Sequence, residues 1–300
     1  MLKKTLISFT ALLLIAGFIG CSDNSTTPTS TTQNGNLGLN ITGLGDLGSA
    51  AQYEGWIIVN SSPVSTGRFT VNSSGTLSQT SFSVNSFDLS SASKFVLTIE
   101  PEPDPSPNPS GVKIIAGAFS GNTANLTIGD SSAIANNFMS STGTYILATP
   151  TNGMNNNELS GVWFVDLNGG PHAGLNLPIL PSQWQYEGWV VVPGHNSALS
   201  TGKFTDPNSA DMGAPYSGTM AGPPFPGEDL VMNAPSGYTF PTNLQGGKFV
   251  ITVEPNPDNS PSPFFIKPLL GTAPSDAMDH TNYPMDNIAS MNQPSGTATR

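Results

Sequence analysis

This chain has a single cysteine, Cys21, in 300 residues. No disulfide can close within it, so a fold must be held by its apolar core alone. Charge is also scarce: Lys and Arg number 9 and Asp and Glu number 20, about a tenth of all residues. The net charge of −11 argues against nucleic acid, whose phosphates need a basic surface, and against electrostatic adhesion to anionic lipid. Histidine occurs three times, at His172, His195 and His280. None has a second ligand-type residue at metal-site spacing and no thiol is nearby, so neither metal nor cofactor is expected. No Gly-x-Ser-x-Gly elbow occurs, and His195 sits in a Pro-Gly-His-Asn turn, which suits a loop histidine better than a general base. Beyond residue 19, no apolar run approaches the roughly 18–20 residues of a membrane span.

The N-terminus supplies the one long apolar run. Lys3 and Lys4 precede an apolar stretch from Leu6 to Ile19, followed by Gly20 and Cys21. A positive start, an apolar core and a small residue before a lone cysteine resemble a bacterial lipoprotein signal peptide. The resemblance implies a signal peptide over 1–20, cleavage before Cys21, and acyl chains on that cysteine. Phe18 and Ile19 depart from the usual Leu and Ala or Ser of the motif. Ser22, where an inner-membrane lipoprotein of enteric bacteria has Asp, favours the outer membrane over the periplasmic face of the inner one. Loss of Lys3 and Lys4 leaves 7 basic against 20 acidic residues, a charge of −13. Residues 21–36 are rich in Ser, Thr and Asn and read as a solvated, disordered tether.

The remainder of the chain repeats itself. Gln52-Tyr53-Glu54-Gly55-Trp56 returns as Gln185-Tyr186-Glu187-Gly188-Trp189. Ser65-Thr66-Gly67-Arg68-Phe69-Thr70 returns as Ser200-Thr201-Gly202-Lys203-Phe204-Thr205. Lys94-Phe95-Val96-Leu97-Thr98-Ile99-Glu100-Pro101 returns as Lys248-Phe249-Val250-Ile251-Thr252-Val253-Glu254-Pro255. The order is kept while the offset grows from 133 to 135 to 154 residues, so the second copy carries insertions. The period is far beyond the roughly 20–50 residues of a solenoid unit. Two tandem domains are expected, over 37–170 and 171–300, with the boundary near Gly169-Gly170-Pro171.

The repeated segments read as strands. Phe95, Leu97 and Ile99 alternate with Lys94, Thr98 and Glu100, the pattern of a half-buried strand. Trp56–Val59 and Trp189–Val192 are continuous apolar runs, suited to strands covered on both faces. Further strands are expected over 112–116, 124–128, 144–148, 162–166 and 264–267, with no long helix. With 32 Gly and 27 Pro punctuating short strands, the expected class is all-β: two tandem, homologous β-sandwich domains of immunoglobulin-like form. A proline-rich loop follows each Glu-Pro strand, Pro101–Pro109 and Pro255–Pro263, and proline stiffens both.

Several of these pieces, in this order, resemble the extracytoplasmic C-terminal domain of anti-sigma-K factors. They are Tyr53 and Trp56, Pro63–Val71, Glu100-Pro101 and Ser106-Pro107-Asn108-Pro109. The second copy matches through Tyr186 and Trp189, Ser200–Phe204, Glu254-Pro255 and Ser260-Pro261-Ser262-Pro263, with Ala198-Leu199 in place of Pro63-Val64. The resemblance implies an outer sensing or interaction module. The family's cytoplasmic domain and transmembrane helix have no counterpart here, so direct sigma-factor binding is not expected.

Acids on the two loops are the best candidates for interaction or ion binding: Glu100, Glu102 and Asp104, with Glu254 and Asp258 in the second copy. Hard oxygen ligands on a stiff loop suit calcium, while a solvated, acid-rich turn needs no ligand. Glu228-Asp229 stands in the same light. Glu54 and Glu187 could form a glycosidase pair only if they faced one cleft, and duplication accounts for them without catalysis. Trp56 and Trp189 read as core anchors, and Trp184, beside the linker, as exposed. The expected function is non-catalytic binding or sensing at the cell envelope, through contact with an envelope protein or peptide. A structural spacer lipoprotein is the alternative, with carbohydrate binding further behind.

Overall fold

The computed structural model describes residues 33–258 and 260–300, and Gln33–Arg300 form one compact unit. Cys21, the expected signal peptide and most of the expected tether lie outside the described residues. The tether's last four residues do not: the Gln33 carbonyl accepts from the Ser86 N–H, and Asn34, Gly35 and Asn36 pair with Asn85, Val84 and Ser83. Backbone pairing needs no apolar side chain, which is why composition placed them outside the fold.

The protein is all-β. The first copy runs β1 (Asn34–Thr42), β2 (Ala51–Val59), β3 (Ser62–Phe69), β4 (Ser81–Asn85), the short helix α1 (Ser86–Ser91), β5 (Lys94–Pro101), β6 (Lys113–Ser120), β7 (Thr123–Thr127) and β8 (Thr142–Leu147). Three short strands come next, β9 (Gly161–Trp163), β10 (Val165–Asp166) and β11 (His172–Ala173). The second copy runs β12 (Leu175–Asn176), β13 (Trp184–Val191), β14 (Leu199–Phe204), β15 (Gly227–Asp229), β16 (Lys248–Pro255), β17 (Leu269–Thr272), β18 (Tyr283–Asn287) and β19 (Ser295–Thr299).

The repeated Tyr-Glu-Gly-Trp segment has the same packing in both copies. Tyr53 and Tyr186 point into the core, stack on Phe69 and Phe204 at 5.5 and 5.6 Å, and donate from their hydroxyls to the Gly45 and Pro178 carbonyls. The next glycine lets an aromatic ring close over the strand. A Cβ at Gly55 would stand 3.0 Å from the Phe95 ring, and one at Gly188 would stand 2.9 Å from Phe164. A bulge sits at Gly55/Trp56 and at Gly188/Trp189. Opposite it lie Gly67 (φ +126°) and Gly202 (φ +123°), conformations that a side chain would strain. Glu and Trp of the motif are left on the outer face.

The two sheets are built by exchange. The first has the order β3-β2-β5-β6-β7-β19-β1-β4, and the second β14-β13-β16-β17-β18-β8-β9-β15, with β12 also paired to β8. Each copy therefore gives its eighth strand to the other. Strand β19 lies between β7 and β1, while β8 lies with β18 on one edge and β12 on the other. The expected boundary at 170/171 separates repeats in sequence but not sheets in space. One apolar cluster runs through both copies, from Leu37 and Phe95 to Phe249 and Ala298. In the first sheet hydrogen bonding crosses all eight strands, and its edges meet where Phe69 packs on Phe82 at 6.0 Å. The first sheet thus curls back on itself over its part of the core.

Three expectations are corrected. Residues 264–267 form no strand, because Pro268 stands where the first copy has Ile114 and removes a donor, so β17 begins at Leu269. The outer face of β5 is not exposed: Thr98 and Glu100 are buried, as are Thr252 and Glu254 on β16. Loop contacts cover these faces, and alternation alone does not reveal such a cover. Trp184 is buried at the start of β13, with its ring 6.1 Å from that of Phe264.

Candidate functional site

The outer faces of β5 and β16 carry the same chain of hydrogen bonds. Trp56 Nε1 donates to Thr98 Oγ1 at 2.9 Å, and Thr98 donates to Glu100 Oε1. Glu100 Oε1 also accepts from the Ser110 N–H at 2.8 Å, at the far end of the proline-rich loop. In the second copy Trp189 donates to Thr252 at 2.9 Å, Thr252 to Glu254, and the Phe264 N–H reaches Glu254 Oε1 at 2.9 Å. The loops themselves are turned alike. Asp104 accepts from the Ser106 N–H and Asp258 from the Ser260 N–H, each at 2.8 Å. Indole, threonine and carboxylate thus clamp both ends of each loop to its sheet.

A second ring of groups sits on this clamp, and here the copies differ. In the first, Ser65 Oγ donates to Glu54 Oε1 at 2.5 Å, and Arg68 Nε to Glu54 Oε2 at 2.7 Å. The other arm of the guanidinium pairs with Asp104, and Glu102 lies 3.6 Å away. Arg68 therefore joins strand to loop. In the second copy Ser200 donates to Glu187 Oε1 at 2.5 Å, but Lys203 replaces the arginine. Its Nζ donates to the Asp258 carbonyl at 2.8 Å and lies 2.9 Å from Asp258 Oδ2, close enough for an ion pair though not aligned as a hydrogen bond. No ion pair or hydrogen bond joins it to Glu187 among the described residues. Asn256 stands where the first copy has Glu102.

Carboxylate oxygens of Glu187, Glu254 and Asp258 lie within 4.8 Å of one another. Glu187 is 2 % and Glu254 0 % exposed, and the Asp258 side chain is 6 % exposed. Glu187 Oε2 and Glu254 Oε2 have no hydrogen-bond partner among the described residues. Burial raises the Glu187 carboxyl above the usual range, against the Ser200 hydrogen bond and the Lys203 charge. Burial also lifts Glu254 to about 7, with Asp258 and Glu187 adding to the rise. Such a group of hard, anionic oxygens can bind a proton or a cation. Of the expected loop acids, the structure brings Glu254 and Asp258 together, and it buries Glu100 and most of Asp104. Only Glu102 fits the solvated turn, accepting from Gln52 Nε2 at 3.0 Å. Sequence reasoning did not join Glu187 to the loop acids, because strand and loop residues 67 and 71 positions apart meet only through sheet pairing. The exchange of Arg68 for Lys203 was visible in the aligned copies.

The second-copy insertion holds another buried acidic group. Asp229 accepts from Trp163 Nε1 at 2.7 Å, from the Thr151 N–H at 2.8 Å and from the Thr151 hydroxyl, which braces β15 against β9. Burial still raises this carboxyl above its ordinary range. Beside it, Ser217 donates to Glu228 Oε1 at 2.5 Å. Burial pushes Glu228 to about 8 and Asp211 to about 7. The three histidines stay apart: His195 stacks on Tyr238 at 4.1 Å, His172 lies 3.8 Å from Asp166, and His280 lies 3.3 Å from Asp279. All four tryptophans are 1–4 % exposed, which leaves no indole face free to stack on a sugar. Among the described residues, no helix is long and apolar enough to cross a membrane.

Comparison of the chain with protein-family models, with curated proteins and with solved structures finds no match.

Proposed function

We propose that this chain is a non-catalytic, lipid-anchored binding protein of the cell envelope that presents its two stiff proline-rich loops to a protein or peptide partner. One observation carries the proposal: both copies build the same Trp–Thr–Glu clamp, and in both it ends on the backbone of the loop. A loop whose shape is fixed before contact loses less entropy on binding. Most of its side chains face solvent, while the acids that could have done chemistry are turned inward to hold it. The resemblance to the outer domain of anti-sigma-K factors points to the same kind of role, sensing by contact. The signal-peptide pattern ending at Cys21 supplies the anchor, and two or more acyl chains suffice for stable attachment.

Two measurements test this. Cross-linking on whole cells should capture a stoichiometric partner with the native chain. It should fail when residues 101–109 and 255–263 are replaced by Gly-Ser sequence of equal length, while the melting temperature falls only modestly. Equal capture by the loop-replaced chain would refute loop presentation. Separately, Cys21→Ser should move the protein from the membrane pellet to the soluble fraction, and retention of the variant in the pellet would refute the anchor.

A further inference from the structure

We infer that the second copy holds one hard divalent cation of the calcium class, bound by Glu187, Glu254 and Asp258, at the place that the first copy fills with the Arg68 guanidinium. The site stands whether or not the loops meet a partner. The first copy provides the internal comparison. Glu54, Glu100 and Asp104 correspond to Glu187, Glu254 and Asp258, and Arg68 corresponds to Lys203. A guanidinium is a planar fork and can satisfy two carboxylates at once, whereas an ammonium is a point charge. Arg68 does bridge Glu54 and Asp104. Lys203 reaches Asp258 and stops. The consequence shows in the buried oxygens. Glu187 Oε2 and Glu254 Oε2 lack partners among the described residues, and no carboxylate oxygen of the first copy is in that position.

Geometry fits an ion. Three oxygens mutually within 4.8 Å have a common centre at most about 2.8 Å from each, so a shift of a few tenths of an ångström brings them to the roughly 2.3–2.6 Å of a calcium–oxygen bond. The donors are all oxygen, with no histidine or cysteine in the group, so a hard cation is favoured over zinc. Calcium takes six to eight ligands in irregular geometry, so water and backbone carbonyls can complete the shell. Magnesium demands a near-ideal octahedron and keeps its waters, which suits a buried trio of carboxylates less well. Charge agrees too: three carboxylates and Lys203 sum to −2, which one divalent cation cancels.

The charged groups around the site are Glu187 on β13, Lys203 on β14, Glu254 on β16 and Asp258 on the loop, with the neutral donors Ser200 and Thr252.

The test uses the full chain in detergent, stripped with chelator and titrated calorimetrically with Ca²⁺, Mg²⁺ or Zn²⁺. One Ca²⁺ per chain is expected, bound at least tenfold more tightly than Mg²⁺, with a matching rise in melting temperature. Lys203→Arg, which gives the second copy the plug of the first, should weaken Ca²⁺ binding at least tenfold while keeping the fold. Glu187→Gln should do the same. Absence of Ca²⁺ binding at 10-millimolar-order concentration, preference for Zn²⁺, or unchanged affinity in the folded Lys203→Arg chain would each overturn the inference.

Discussion

A chain cut after Pro294 should lose its cooperative unfolding transition. The six residues removed include β19, an interior strand of the first sheet. It pairs with β1 from Gly38↔Thr299 to Thr42↔Ser295, and with β7 from Ser295↔Thr127 to Thr299↔Thr123. Removal exposes two strand edges at once, splits the sheet and takes away the fully buried Ala298, whose place in the core is left empty. The terminal Arg300 is lost as well. Its guanidinium donates to the carbonyls of Leu89, Ser90, Ala92 and Gly121, and it lies 4.5 Å over the Phe119 ring. Each hydrogen bond is worth about 0.5–1.5 kcal/mol net. Their loss together rivals the roughly 5–15 kcal/mol that holds an ordinary domain folded. Circular dichroism melts of the full and cut chains decide the matter, and a synthetic peptide of residues 293–300 should restore the transition. A cut chain that melts within a few degrees of the native one would show that the sheet does not depend on this strand. Gly296→Val is the milder version, since a Cβ there would stand 2.1 Å from the Asn40 carbonyl oxygen.

The apo protein should be more stable at pH 5 than at pH 8, and the second copy is the reason. Burial carries Glu228 to about 8, and Asp211 and Glu254 to about 7; Glu187 and Asp229 are raised as well. A carboxyl raised in the folded state keeps its proton where the unfolded chain has lost it. Its contribution is complete below the unfolded pKa and disappears as pH climbs through the folded one, so stability falls over about pH 4.5 to 8. A single group carried from 4.5 to about 7, as Glu254 is, accounts for about 3 kcal/mol. Coupled neighbours add less than their sum. For a chain of this size that is roughly 5–10 °C in melting temperature. Asp130, Asp166 and Asp206 are lowered and act the other way. At Asp130 burial is outweighed by the Lys94 ammonium and by the Ser132 N–H and hydroxyl. At Asp166 and Asp206 a backbone N–H, from Asn168 and Asn208, leads the lowering. Their effect falls below pH 4 and leaves this window alone. Thermal melts in chelator across pH 5–8 provide the check, and Glu228→Gln should flatten the slope. A melting temperature that holds level or rises toward pH 8 would contradict the assignment. Excess Ca²⁺ should offset part of the loss, because it binds the folded chain at Glu187, Glu254 and Asp258.

Much of the fold was legible because the sequence states it twice. Two copies of Tyr-Glu-Gly-Trp and of the Lys-Phe…Glu-Pro strand are enough to place β2, β5, β13 and β16 and to show which side chains turn inward. The acids of the candidate site were legible only as types on loops. Glu187 and Asp258 lie 71 residues apart, and nothing local to either says that they meet. The cover over Thr98 and Glu100 was hidden for a related reason: a polar residue held by an indole and a backbone N–H alternates along a strand just as a solvated one does. Pro268 was readable as a missing donor, yet the apolar run before it outweighed that signal.

By itself the sequence determined the class and the duplication. Period-two apolar patterning, glycine at the bulges and proline after the Glu-Pro strands permit little other than antiparallel β structure, and they do so through local sterics and hydrogen-bond supply. Tertiary structure decided which strands close which sheet. The choice between keeping β8 and β19 at home and exchanging them depends on how the chain crosses between copies, because the backbone hydrogen bonds on offer are alike in either arrangement. Tertiary structure also decided that one carboxylate cluster is closed by an arginine while its twin keeps buried oxygens without a partner among the described residues, since only packing fixes how far a side chain must reach.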